Sequence, residues 1–151
     1  MSQSLSLEEY GHILRTAFAT LHGGHPGEPA EPEAVGPEES VSAFIARTRA
    51  QTLESLRAQV EAAQPPAELQ AVHDVLIRLL EAAIEADKAL EEQIEAYGRG
   101  DQKASLRQAE RVGALVVASA RLDRDLILAL RAAEDARSGT LAALGLAEPL
   151  D

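Results

Sequence analysis

Apolar residues return every three or four positions along most of this chain, and the longest such run extends from Pro65 to Ala136. That step marks one face of an α-helix, because 3.6 residues complete a turn. Within the run one stripe reads Leu69, Val72, Leu76, Leu79, Ala83, Ala86, Leu90, Ile94 and Tyr97. A flanking row of His73, Ile77, Leu80 and Ile84 widens the apolar face. After Gly98-Arg99-Gly100-Asp101 a second set begins, with one row of Leu106, Ala109, Gly113, Val116, Ala120, Ile127 and Leu130. Beside it runs another of Val112, Leu115, Leu122, Leu126 and Ala133. Gly98 suits a helix C-terminus and Asp101 an N-cap, so the pattern predicts two long helices folded back about a tight turn. The first, from Ala67 to Tyr97, would be roughly 45 Å long. Two adjacent apolar rows on the second predict contact with two neighbours.

The earlier part of the chain supplies those neighbours. Ser6-Leu7-Glu8-Glu9 fits a capping box at the start of a first helix, whose stripe is Leu7, Tyr10, Leu14, Ala17, Phe18 and Leu21. Gly23-Gly24 ends it. Residues 23–37 hold four of the seven prolines, several glutamates and no Lys or Arg, and are expected to form a flexible linker. A second helix is expected from Pro37 or shortly after, with Val41, Phe44, Ile45, Thr48, Thr52, Leu56, Val60 and Ala63 on its apolar side. Pro65-Pro66 separates it from the long pair. Ser138-Gly139 closes the last long helix, and the tail to Asp151 carries Leu141, Leu144, Leu146 and Leu150. The expected organisation is therefore helix 1 in residues 1–22, a linker in 23–37, helices 2 to 4 of the same domain in 38–137, and a tail in 138–151. The fold class expected is all-α, an antiparallel four-helix bundle with a dominant long helical hairpin. The shorter helices cannot cover that hairpin along its whole length, and a homodimer is the expected way to bury the remainder.

Composition narrows the function classes. Apolar residues make up 46% of the 151 but aromatics only 3%, which suits closely packed helices and argues against a sandwich or barrel. A formal net charge of −11 repels phosphate backbones and anionic headgroups, so no nucleic-acid partner is expected. The absence of cysteine excludes disulfides, thiolate metal sites, thiol catalysis and c-type haem attachment. The first residues lack a basic segment followed by an apolar run, and no stretch reaches the roughly 20 apolar residues of a membrane span. A bacterial cytoplasmic protein is expected.

Pro65-Pro66, Glu68-Leu69, His73 and the Gly100-Asp101 break between two long helices form one further pattern. From about Leu53 to Leu130 the chain resembles small uncharacterised bacterial helical-bundle proteins. The resemblance implies a helical hairpin within a bundle and carries no activity.

Polar residues set among apolar ones are the candidates for chemistry. His73 lies beside the stripe of the third helix. Asp123 interrupts a row of the fourth at a similar distance from the turn. A buried His73–Asp123 hydrogen bond is one reading of the pair, and contact with a ligand held between the helices is the other. Asp87 interrupts the third helix in the same way, with Arg111 at the matching level as its expected partner. Glu9 and His12 have the spacing used in carboxylate-bridged dimetal bundles, but such sites need the pair twice and no second pair occurs. His22 and His25, near Glu28 and Glu31, are the remaining metal candidates. Arg99-Gly100-Asp101 matches an adhesion tripeptide, yet the turn accounts for all three residues. No Gly-rich phosphate loop, nucleophile elbow or Ser/His/Asp pattern appears. The leucines Leu141, Leu144, Leu146 and Leu150 would either dock in a partner's groove or fold back on their own bundle. Together these features point first to a non-enzymatic interaction or scaffolding protein without a cofactor. A carrier of a small apolar ligand near His73 and Asp123 comes second, and a metal-binding or redox bundle third.

Overall fold

A computed structural model describes residues 3–22 and 41–146. The expected linker 23–37, the Pro37 start of the second helix, His25, Glu28, Glu31 and Leu150 lie outside the described residues. Among the described residues five α-helices follow in order: α1 (Leu7–His22), α2 (Val41–Ala62), α3 (Gln70–Gly98), α4 (Gln102–Ala136) and α5 (Thr140–Ala143). A 3-10 turn at Ala67–Leu69 leads into α3, and no strand occurs among the described residues. No helix among them is long and apolar enough to cross a membrane.

The helix ends follow local chemistry. The Glu9 N–H donates to Ser6 Oγ at 3.1 Å, and the Ser6 N–H donates to Glu9 Oε1 at 3.0 Å. This is the reciprocal capping box, and the hydrogen bond from the Ser6 amide holds the Glu9 carboxyl below its usual pKa. Just before it, the Leu5 N–H donates to the Gln64 carbonyl at 2.9 Å, tying the entry of α1 to the exit of α2. At the turn, Asp101 Oδ1 accepts from the Ala104 N–H at 3.0 Å. The left-handed residue there is Gly100, with φ +77°, whereas Gly98 is still helical. The Asp101 N–H reaches the Ala96 carbonyl and the Gly100 N–H the Tyr97 carbonyl, which is the Schellman pattern with Gly100 at its left-handed position.

About that turn α4 folds back along α3. Arg111 meets Glu85 at 2.7 Å, and farther from the turn Arg137 meets Glu68 at 3.2 Å. Arg111 was expected opposite Asp87. The structure gives it Glu85 instead, because Asp87 faces α2, where Arg49 Nε lies 3.3 Å from Asp87 Oδ2. A second bridge, Lys88 to Glu54 at 2.7 Å, runs along the same α2–α3 seam. Helix α1 lies against the lower part of α3, with Tyr10 beside His73 near the start of α3 and His22 beside Asp123 of α4. The core they enclose contains Tyr10, Leu14, Leu53, Leu69, Leu76, Leu80, Ile84, Leu126 and Leu130. Each such side chain contributes roughly 1.5–3 kcal/mol by leaving water.

Two helices present faces that differ from the expected ones. In α2 the buried row is Ala43, Ala46, Ala50, Leu53, Leu56 and Val60, while Phe44 and Ile45 are only half-buried and Thr48 is exposed. Methyl-sized side chains let α2 approach α3 closely, so contact goes to the alanine side, and Arg47 stacks over the Phe44 ring at 5.5 Å. In α4 both rows were expected to meet neighbours. Only Leu126 and Leu130 are fully buried, and Leu106 and Val116 face solvent.

Candidate functional site

The four long helices converge where α1 ends. There a groove of about 310 Å³ is floored by small side chains, Ala83 and Ala86 of α3 with Ser119 and Ala120 of α4, and walled by Leu21, Leu79 and Val116. Alanines at successive inward positions leave space that leucines would fill, which is how these helices pack and still leave a groove. Its polar groups come from all four helices. Arg49 of α2 reaches across to α1, where its Nη2–H donates to the Leu21 carbonyl at 3.2 Å. That carbonyl is one of the unpaired acceptors of the last turn of α1, so the guanidinium also meets the negative end of the helix dipole. The same guanidinium touches Asp87 of α3, and the two side chains are 29% and 13% exposed. At the mouth, His22 Nε2 lies 2.8 Å from Asp123 Oδ1, and the His22 ring stacks on Phe18 one turn earlier.

The structure thus separates the two residues expected to form a site. Asp123 lies in the groove, but its partner is His22. His73 sits deeper along α3, 5% exposed, with Nδ1 at 2.8 Å from the Tyr10 hydroxyl oxygen. Burial lowers the His73 pKa, the opposing pull of the Asp74 charge being smaller. Burial raises that of Tyr10, helped by the same Asp74 charge. Both groups are therefore held neutral. Tyr10 then donates its only proton to Nδ1, which places the ring proton of His73 on Nε2; this arrangement leaves no buried hydroxyl idle. The Tyr10–His73 hydrogen bond pins α1 to α3.

The other candidates lie away from the groove. The Glu9 carboxylate is committed to the Ser6 cap, and His12 is exposed on α1. Among the described residues, no group of three or more His, Asp or Glu side chains is placed to hold a metal ion. The tail folds back: Leu141 and Leu144 are buried in the core, and Leu146 packs partly against it. Glu134 fixes this fold by accepting the Gly139 N–H at 2.8 Å and the Leu141 N–H at 2.9 Å, which hold its carboxyl below the usual pKa. Gly11 of α1 lies flat on the Leu144 backbone, where a Cβ would collide with the Leu144 carbonyl. An open depression of about 620 Å³ lies between the end of α4 and α5, walled partly by Glu134, whose oxygens are already occupied.

Sequence reasoning missed Arg49 and Tyr10. Arg49 had a readable signal, since Asp87 interrupts an apolar stripe and an arginine beside an alanine row is a natural partner. The registry that favours α2 over α4 for that contact is tertiary. The outer side of α4 was missed in a different way. Leu106 and Val116 belong to a row expected in the core yet are 67% and 56% exposed, and the exposed Val117 and Leu128 fall in neither expected row. No family model, no curated protein and no solved structure matches the chain.

Proposed function

We propose that this chain is a non-enzymatic interaction protein, an antiparallel four-helix bundle that presents the outer side of α4 to another protein surface. The directions of the helix pairs support the bundle: α4 and α2 each run back along α3, and α1 runs alongside α3 in the same sense. The observation that carries the functional reading is the exposure of Leu106, Val117 and Leu128 on one side of one helix. A single exposed leucine is ordinary, but three large apolar side chains along one side of an element form a surface that gains by being covered. Nor do the polar constellations suggest turnover. His22–Asp123 and Arg49–Asp87 are each paired within the chain.

Hydroxyl-radical footprinting tests this reading. Leu106, Val117 and Leu128 should label strongly in dilute purified protein, and be protected either at high concentration or in a lysate of the cells that make it. Equal labelling in all three samples overturns it. A second reading, a carrier of a small apolar molecule, is favoured by the groove at the end of α1, with Asp123 at its mouth. Native mass spectrometry of freshly purified protein would show a bound molecule that is lost when Ala83→Leu fills the floor.

A further inference from the structure

The outer ridge of α4 carries an order that exposure alone does not require. At 100° per residue, Leu106, Glu110, Val117, Arg124 and Leu128 stand within about 40° of one another around the helix. All five are exposed. Their sequence is symmetric about Val117: a leucine eleven residues to either side, and seven residues to either side a glutamate and an arginine. Neither Glu110 nor Arg124 makes an ion pair among the described residues. Between them sits Gly113, where a Cβ would meet nothing within 4 Å. A glycine inside a helix costs about 1 kcal/mol relative to alanine, and the chain's own packing gives no reason for it.

We propose that a second copy of this chain covers the ridge, the two α4 helices lying antiparallel across a twofold axis at Val117. The inference rests on the interaction reading above and narrows it to one partner. In that register Val117 faces its own twin, Leu106 faces Leu128 of the partner subunit, and Glu110 faces Arg124 of the partner subunit. The axis makes each unlike contact occur twice. A parallel pairing would set glutamate against glutamate and arginine against arginine, so the charges select the antiparallel one. Gly113, four residues before Val117, faces Arg121 of the partner subunit, and its missing side chain leaves room for that arginine. The one like-charged pairing, Lys103 with Arg131 of the partner subunit, falls about 21 Å from the axis, at the solvated ends of the ridge.

The chain has no cysteine, so each introduced thiol is unique. Mild oxidation of Val117→Cys should give a disulfide-linked dimer. Leu106→Cys alone and Leu128→Cys alone should not, whereas an equimolar mixture of those two should. Glu110→Arg should weaken the dimer about tenfold or more in sedimentation, and Glu110→Arg combined with Arg124→Glu should restore it. These side chains are exposed, so the fold should survive, and circular dichroism checks that it does. A wild-type chain that sediments as a monomer at roughly millimolar concentration overturns the second copy, while protection of α4 in the lysate would still stand for a different partner. A dimer in which Leu106→Cys cross-links to itself, or in which the charge swap fails to restore association, overturns the antiparallel register.

Discussion

At the scale of single residues, the most informative contact is the Tyr10–His73 hydrogen bond. The position of His73 beside an apolar stripe made its burial legible. Its partner was not, because level along a hairpin says nothing about the face a side chain takes, and His73 faces α1, not α4. Tyr10→Phe removes the donor and leaves Nδ1 buried without one, so we expect a loss of about 1–3 kcal/mol in urea unfolding with little change in helicity. An unchanged midpoint would mean that the ring finds another donor. The same burial gives stability a pH dependence. The folded-state pKa of His73 lies below the ordinary 6.5. Above 6.5 the histidine is neutral whether folded or not and adds no slope. Below it the unfolded chain binds a proton that the folded chain refuses, so stability falls as pH drops towards the depressed folded value and then levels off. Unfolding midpoints measured from about pH 7.5 to pH 5.5 should show this decline, and His73→Gln should flatten it. The carboxyls of Glu9 and Glu134, both lowered from 4.5, act at lower pH and do not mask the window.

At the scale of elements, the sequence is most legible where a helix end depends on nearest neighbours. The Ser6–Glu9 box and the Asp101 cap were readable because their partners lie three residues away. The exit from α3 was located correctly but assigned to the wrong glycine, since Gly98 and Gly100 look alike without dihedral angles. Substitution separates them. Gly98 is helical, and a methyl added there would meet nothing within 4 Å, so Gly98→Ala should stabilise by about 0.4–1 kcal/mol through the unfolded chain. Gly100 has φ +77°, where an L side chain is strained, and Gly100→Ala should cost about 1–2 kcal/mol. Thermal melts of the two variants should shift in opposite directions; a shared direction would remove the Schellman assignment. The face of α2 was illegible for a different reason. Hydrophobic pattern weights large residues, so Phe44 and Ile45 outweighed Ala43, Ala46 and Ala50. Close helix approach favours the small ones.

At the scale of the whole molecule, the excess of apolar surface was legible and its location was not. The sequence shows that α4 carries apolar residues on several sides, but how many neighbours it has is settled only by packing, and Leu106, Val117 and Leu128 stay outside. The groove where α1 ends depends in the same way on the whole arrangement, because Arg49 links α2, α3 and the last turn of α1 at one point. Whether that link serves stability or a ligand can be separated by substitution. Asp87→Ala leaves the guanidinium facing a groove with the Leu21 carbonyl still beside it. Breaking a fully buried pair costs about 3–5 kcal/mol, and partial solvent access at Arg49 should reduce this to about 1–3 kcal/mol. Replacing both members, Arg49→Met with Asp87→Leu, removes the charges together and adds apolar contact in the groove. If the pair serves only to join the helices, the double variant should recover most of the stability lost by Asp87→Ala, and native mass spectra of the double variant and the wild type should match. If the double variant is as stable as the wild type but lacks a mass present in the wild-type spectrum, the charges are there for a bound molecule, and the carrier reading displaces the structural one.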